Sequence, residues 1–143
     1  MSINFKKGNI QRLNTTNIIT GTLPLTVENS GSTIFISCFL PGENAIIDLP
    51  PVDDSLGCNY DFLIASFNSN NTVKINARDK AGDLEAKIYI LGNHSVSPNN
   101  TVTITPDDST LQRGDRLSII SNGSNWFLNH IDASNTTLSL GSS

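Results

Sequence analysis

An Asn-Gly pair at Asn122 and Gly123, set between two stretches of alternating apolar residues, constrains this chain more than any other feature. These two residue types take positive φ at low cost, so the pair predicts a tight hairpin over residues 114–129. With a two-residue loop, Ser121 faces Ser124, Ile119 faces Trp126, Leu117 faces Leu128 and Ser118 faces Phe127. One face is then Leu117, Ile119, Trp126 and Leu128, all apolar, while the other mixes Ser118, Ile120, Asn125 and Phe127. A loop longer by two residues keeps that division, because strand side chains alternate with period two. One face must therefore be buried, and Gly114, Asp115, Asn122, Gly123 and Trp126 are expected to define the fold there.

The rest of the chain carries the same kind of signal in shorter pieces. β-rich runs at residues 18–27, 33–40, 45–49, 60–67, 72–77, 86–91, 101–105 and 137–140 are separated by Gly, Pro, Asn and Asp clusters. Pro24 marks the first run as an edge or a pair of short strands, and Pro50 with Pro51 ends the third. In residues 33–40 both faces are apolar, which predicts cover on both sides, by a second sheet and by a loop or partner chain. No helical period extends beyond two turns. With 143 residues and 18 Asn, a residue suited to turns, the chain reads as one domain of nine or ten short strands. The expected architecture is all-β: an antiparallel β-sandwich, a single jelly roll of about eight strands. No 20–50-residue period repeats cleanly, so a solenoid is not expected.

Charge divides the chain unevenly. Net charge is −4, yet the first acidic residue is Glu28, so Lys6, Lys7 and Arg12 stand unopposed in a basic arm, residues 1–17, ahead of the domain at 18–143. Such an arm is either a solvated tail or an assembly arm for an acidic neighbour or nucleic acid. Nucleic acid is the weaker reading, because no aromatic–basic alternation marks a binding sheet. Residues 1–13 lack an apolar signal core, and no run reaches the roughly 18 apolar residues of a membrane span, so a soluble, cytosolically made protein is expected. Cys38 and Cys58 then read as reduced and structural. The six Asn-X-Ser/Thr sequons, at Asn14, Asn70, Asn93, Asn99, Asn122 and Asn135, are what a chain this rich in Asn, Ser and Thr contains by chance.

Residues suited to catalysis are sparse. His94 and His130 stand apart from cysteines and carboxylate pairs, and no nucleophile elbow, zinc signature or phosphate loop occurs. The expectation is a non-enzymatic protein without a cofactor. Asp53–Asp54 and Asp107–Asp108 are the adjacent acidic pairs, readable as solvated turns or as part of a calcium loop. Among the aromatics Trp126, Tyr60, Tyr89 and Phe127, Trp126 reads as core and Phe127 as the more exposed ring. That leaves Asn93, His94, Asn125 and Phe127 as candidate glycan contacts, should the chain be a lectin-like sandwich.

Three pieces occur in a fixed order. They are Ile47-Asp48-Leu49-Pro50-Pro51; Gly57-Cys58-Asn59-Tyr60-Asp61-Phe62-Leu63-Ile64; and Thr101-Val102-Thr103-Ile104-Thr105 leading to Gly114-Asp115-Arg116-Leu117 and Asn122-Gly123-Ser124-Asn125-Trp126-Phe127. Together they resemble the β-module of tailed-phage fibre and virion proteins and of capsid proteins of large DNA viruses. The resemblance covers roughly residues 45–131, and the charged segment 78–85 and the long loop 92–100 depart from the pattern. It implies a virion structural protein that partners other capsid or virion proteins and assembles as a homo-oligomer. A vertex, or penton, protein would be a pentamer and a fibre domain a trimer; minor capsid, cement and surface-cap roles stand beside them. No catalytic residue transfers, and a host glycan is a possible further partner.

Overall fold

Turn residues recur so often along this chain that, among the described residues, every strand but one has six residues or fewer before the backbone changes direction. The computed structural model describes residues 15–67, 70–83, 85–91, 98–104, 115–131 and 138–141. Eleven strands lie among them: β1 (Thr15–Ile18), β2 (Gly21–Pro24), β3 (Thr33–Cys38), β4 (Ala45–Asp48), β5 (Asn59–Phe67), β6 (Val73–Asn76), β7 (Ile88–Ile90), β8 (Thr101–Ile104), β9 (Arg116–Ser121), β10 (Trp126–Ile131) and β11 (Leu138–Gly141). One sheet runs β1-β3-β5-β9-β10-β7 and the other β11-β8-β6-β4-β2. β1 begins within the span read as an arm; Lys6, Lys7 and Arg12 lie outside the described residues.

The all-β expectation holds and the antiparallel one is corrected. Of nine strand pairings among the described residues, five are parallel and four antiparallel. Jelly rolls are built from antiparallel strands, so two mixed sheets of six and five strands replace the single jelly roll of about eight. The cause is that successive strands switch sheets instead of folding back. From β1 to β6 the chain alternates between the two sheets and lays each strand parallel to the one two before it, making three stacked coils.

This winding is solenoid-like although no clean repeat announces it. Thr15 lies beside Thr33 and Thr33 beside Asp61, so one coil takes 18 residues and the next 28. In the second sheet Gly21, Ala45 and Val73 align, at intervals of 24 and 28. Unequal coils hide the period.

Parallel neighbours cannot be joined by a tight turn, so their register has to be fixed at the corners. Asparagine does this here. The Asn44 carbonyl accepts from Thr20 Oγ1 at 3.1 Å and from the Gly21 N–H at 3.0 Å. Asn44 Oδ1 in turn accepts the Thr72 N–H at 2.8 Å, which ties three successive corners together. Asn71, fully buried, donates to the carbonyls of Cys38 and Leu40, both at 2.9 Å, and accepts the Gly42 N–H at 3.1 Å.

Alternation along each strand sends one set of side chains into the space between the sheets. In β3, Ile34, Ile36 and Cys38 are buried while Thr33, Phe35 and Ser37 are half-buried. The outer side of this strand is thus only partly covered. The core joins Ile34, Phe62, Leu117, Trp126 and Ile88 of the first sheet to Ile47, Ile75, Val102 and Ile104 of the second. Both cysteines are free and buried.

The hairpin keeps its expected faces in a shifted register. Trp126 lies opposite Ser121, Phe127 opposite Ile120 and Leu128 opposite Ile119, so the loop has four residues in place of two. Asn122 is the reason: its Oδ1 accepts the N–H groups of Ser124 at 3.0 Å and Asn125 at 2.9 Å, a side-chain turn that widens the loop. Gly123 supplies the positive φ, +89°, and its N–H donates to Ser121 Oγ at 2.9 Å. Since the shift is by two residues, Leu117, Ile119, Trp126 and Leu128 remain the buried face.

Trp126 packs 6.1 Å from the Tyr60 ring, and its Nε1 has no hydrogen-bond partner. Burying about 150–250 Å² of indole stabilises by roughly 4–6 kcal/mol. An orphaned N–H costs about 1–3 kcal/mol, so burial wins. Tyr60 solves the same problem differently, donating its hydroxyl to the Thr26 carbonyl. Burial, then the charges of Cys58 and Glu28, push that phenol well above its ordinary value.

Candidate functional site

The outer face of the first sheet gathers the side chains that the core rejects. Register places Tyr89, Phe127, Ile120 and Asn59 in one row across β7, β10, β9 and β5. The next row on the same face is Asn129, Ser118, Asp61 and Thr33. A row that is apolar except for Asn59 at its β5 end therefore lies directly beside a polar one.

Between the two rows runs a groove of about 320 Å³. Leu91, Ile120 and Phe127 give it an apolar wall, and Asn59, Asp61, Ser118 and Asn129 a polar one. Tyr89 stacks on Phe127 with centroids 5.4 Å apart and planes 19° from parallel, which fixes one end of the apolar wall. Ser118 Oγ donates to Asp61 Oδ1 across β9 and β5, holding the carboxylate in place. A carboxylate beside amides and a hydroxyl offers both donors and acceptors, and the carboxylate fixes a negative charge. The arrangement suits a small amphipathic ligand.

Two of the predicted glycan contacts come apart. Phe127 reaches the groove, but Asn125 does not line it. Asn125 Oδ1 accepts the Lys87 N–H at 3.2 Å, and the Trp126 N–H donates to the Lys87 carbonyl at 2.9 Å, so this corner locks β7 beside β10. Asn93 and His94 lie outside the described residues, as do Gly114, Asp107 and Asp108. His130, in β10, pairs with Leu117 of β9, and its side chain is likewise outside what is described. Asp115 is buried at the entry to β9, where its carbonyl accepts the Ile64 N–H at 2.9 Å. Trp126 and Tyr60 are wholly buried and cannot form an exposed platform.

A second hollow, lined by Val52, Asp53, Asp79, Glu85 and Ser124, is more acidic. Its carboxylates do not converge. Asp79 accepts the Asp83 N–H, the neighbouring Asp54 pairs with Lys80 at 3.6 Å, and no metal-holding cluster occurs among the described residues. Nor is any helix among them long and apolar enough to cross a membrane.

Sequence reasoning had placed Ser118 and Phe127 on one face of the hairpin but missed Asn59, Asp61 and Asn129. Alternation alone puts Asn59 and Asp61 opposite the core residues Tyr60 and Phe62, so their face was readable. What was not readable is that β5 lies next to β9, a long-range fact of sheet order. Compared with protein-family models, curated proteins and solved structures, the chain matches none of them.

Proposed function

We propose that the protein is a non-enzymatic structural subunit of a virion, assembling with copies of itself or with other virion proteins. The virion setting rests on the resemblance of the closing hairpin and the two stretches before it. Assembly rests on one observation, the placement of charge among the strands. Among the described residues, Asp48, Asp61, Lys74 and Arg116 all belong to interior strands, whereas the outermost strands β1, β2, β7 and β11 carry no charged residue; of these, β7 is already bridged on its outer side, where the Ile88 N–H donates to the Asn99 carbonyl. Free-standing sheets usually do the reverse, placing charges on edges to discourage pairing with another chain. Pro24 at the end of β2 withholds a single donor and leaves the rest of that edge unpaired with any other described strand.

Apolar exposure supports the same reading. Ile19 and the Phe39–Leu40 pair sit at successive corners beside the first coil, 48%, 55% and 59% exposed. Such a ridge next to two uncharged edges favours burial against a neighbour. The surface proposed for assembly is thus the first-coil end, with its edges and corners, in addition to the sheet faces and the basic arm.

Native mass spectrometry of the full chain, paired with sedimentation of purified particles, tests the proposal. A trimer or pentamer that co-sediments in stoichiometric amounts is the expected result. A protein that stays monomeric at every concentration and never accompanies particles overturns it.

A further inference from the structure

We propose that the groove on the outer face of the first sheet binds a neutral pyranose sugar. This goes beyond the structural role and stands whether or not the subunit assembles. A pyranose has one face of C–H groups and a rim of hydroxyls, and the groove has the same division. Leu91, Ile120 and Phe127 meet the C–H face, while Asp61, Asn59 and Asn129 meet vicinal hydroxyls.

The polar wall selects among ligand classes. Asp61 accepts from sugar hydroxyls while Ser118 Oγ steadies one of its oxygens. Its charge repels phosphates, sulfates and uronates, so nucleotides and acidic sugars are disfavoured. A metal ion would need several more oxygen ligands than one carboxylate offers. A lipid chain would need an apolar wall on both sides. Size agrees: about 320 Å³ is within the range of small-ligand sites. One sugar ring in so open a site should dissociate with a constant on the order of 1 mM.

The test uses the purified full chain and a panel of methyl glycosides, with methyl α-mannopyranoside, methyl β-galactopyranoside, methyl α-glucopyranoside and a methyl glucuronide as probes. Saturation-transfer NMR reports binding, and amide shift perturbation locates it. The expected result is that at least one neutral glycoside binds, moving the amides of Asn59, Asp61, Ser118 and Asn129, and that the glucuronide binds at least about tenfold more weakly. Asp61→Asn keeps the side chain's shape and should weaken the neutral sugar about tenfold, the difference between a charged and a neutral acceptor. Phe127→Leu, which keeps an apolar strand residue, should weaken it further still. Native hydrogen-exchange protection in each variant separates a lost contact from a lost fold. The proposal is overturned if no neutral glycoside binds well above that constant, if the shifted amides lie elsewhere, if the glucuronide binds equally well, or if a folded Asp61→Asn binds like the parent.

Discussion

The three coils from β1 to β6 and the β9–β10 hairpin share one core, yet they hold their strands in register by opposite means. The hairpin is specified locally. Four consecutive residues, Asn122 to Asn125, close it through bonds reaching no more than three residues along the chain. The coils are specified at a distance: Asn71 grips carbonyls 33 and 31 residues away, and Asn44 reaches 28 residues to Thr72. Parallel pairing forces this, since each strand must cross to the other sheet and return before meeting its neighbour. A turn can hold two strands, whereas Asn44, through its carbonyl and its side chain together, ties three corners.

The strongest challenge to that contrast is Trp126→Ala, because the indole lies where the two regions meet. It should cost about 3–5 kcal/mol in urea unfolding, with coils and hairpin melting together. Protection from hydrogen exchange that survives in β3 and β4 while β9 and β10 open would show two separate units instead of one core. Asn71→Ala comes next, at about 2–3 kcal/mol, since it strands the buried Cys38 carbonyl and removes two part-buried bonds, to the Leu40 carbonyl and from the Gly42 N–H. Faster exchange should appear first in β3, β4 and β6, with the hairpin slow. Equal loosening of both regions would mean that the corner asparagine does not act locally.

Gly123→Ala should cost about 1–2 kcal/mol and be confined to the hairpin. The nearest atom to an added Cβ is Leu56 Cδ1 at 3.5 Å, an ordinary contact, so the cost is backbone strain at φ +89° and not lack of room. The smallest effect concerns pH and the coils. Burial, and then the charge of Glu43, push the Cys38 thiol up from 9.0 to about 11. Its unfolded form therefore loses a proton before the folded form does. The stability that Cys38 contributes is complete below pH 9 and is lost as pH rises towards 11. Denaturant midpoints of Cys38→Ala should fall less steeply over that window than those of the parent, and the remaining slope belongs in part to Tyr60, whose phenol is raised as well.

How much of this was visible in the amino acids follows the same division. Alternation in residues 114–129 identified the buried face of the hairpin, and Trp126 as core, without knowledge of any partner strand. It erred only in the loop, where Asn122 was read for its own φ and not for its side chain, which captures two N–H groups. Each coil strand was also visible as a β-rich run, apart from β1. Their parallel pairing was not, because runs that cross between sheets and runs that fold back have the same alternating pattern. Asn71 and Asn44 looked like ordinary turn residues; nothing near them in the chain reveals carbonyls some 30 residues away. The groove shares that blindness, with each wall legible along its own strand and the walls joined only by sheet order.

The orphaned indole has a consequence for observing all of this. Trp126 is the only tryptophan in the chain and sits fully buried, with no hydrogen-bond partner for its nitrogen. Its emission should therefore be blue-shifted in the native protein, fed by energy transfer from Tyr60 beside it, and should move to the red as soon as water reaches the space between the sheets. The molecule carries its own lamp at the junction of its two halves, so a single wavelength reports whether they are still together.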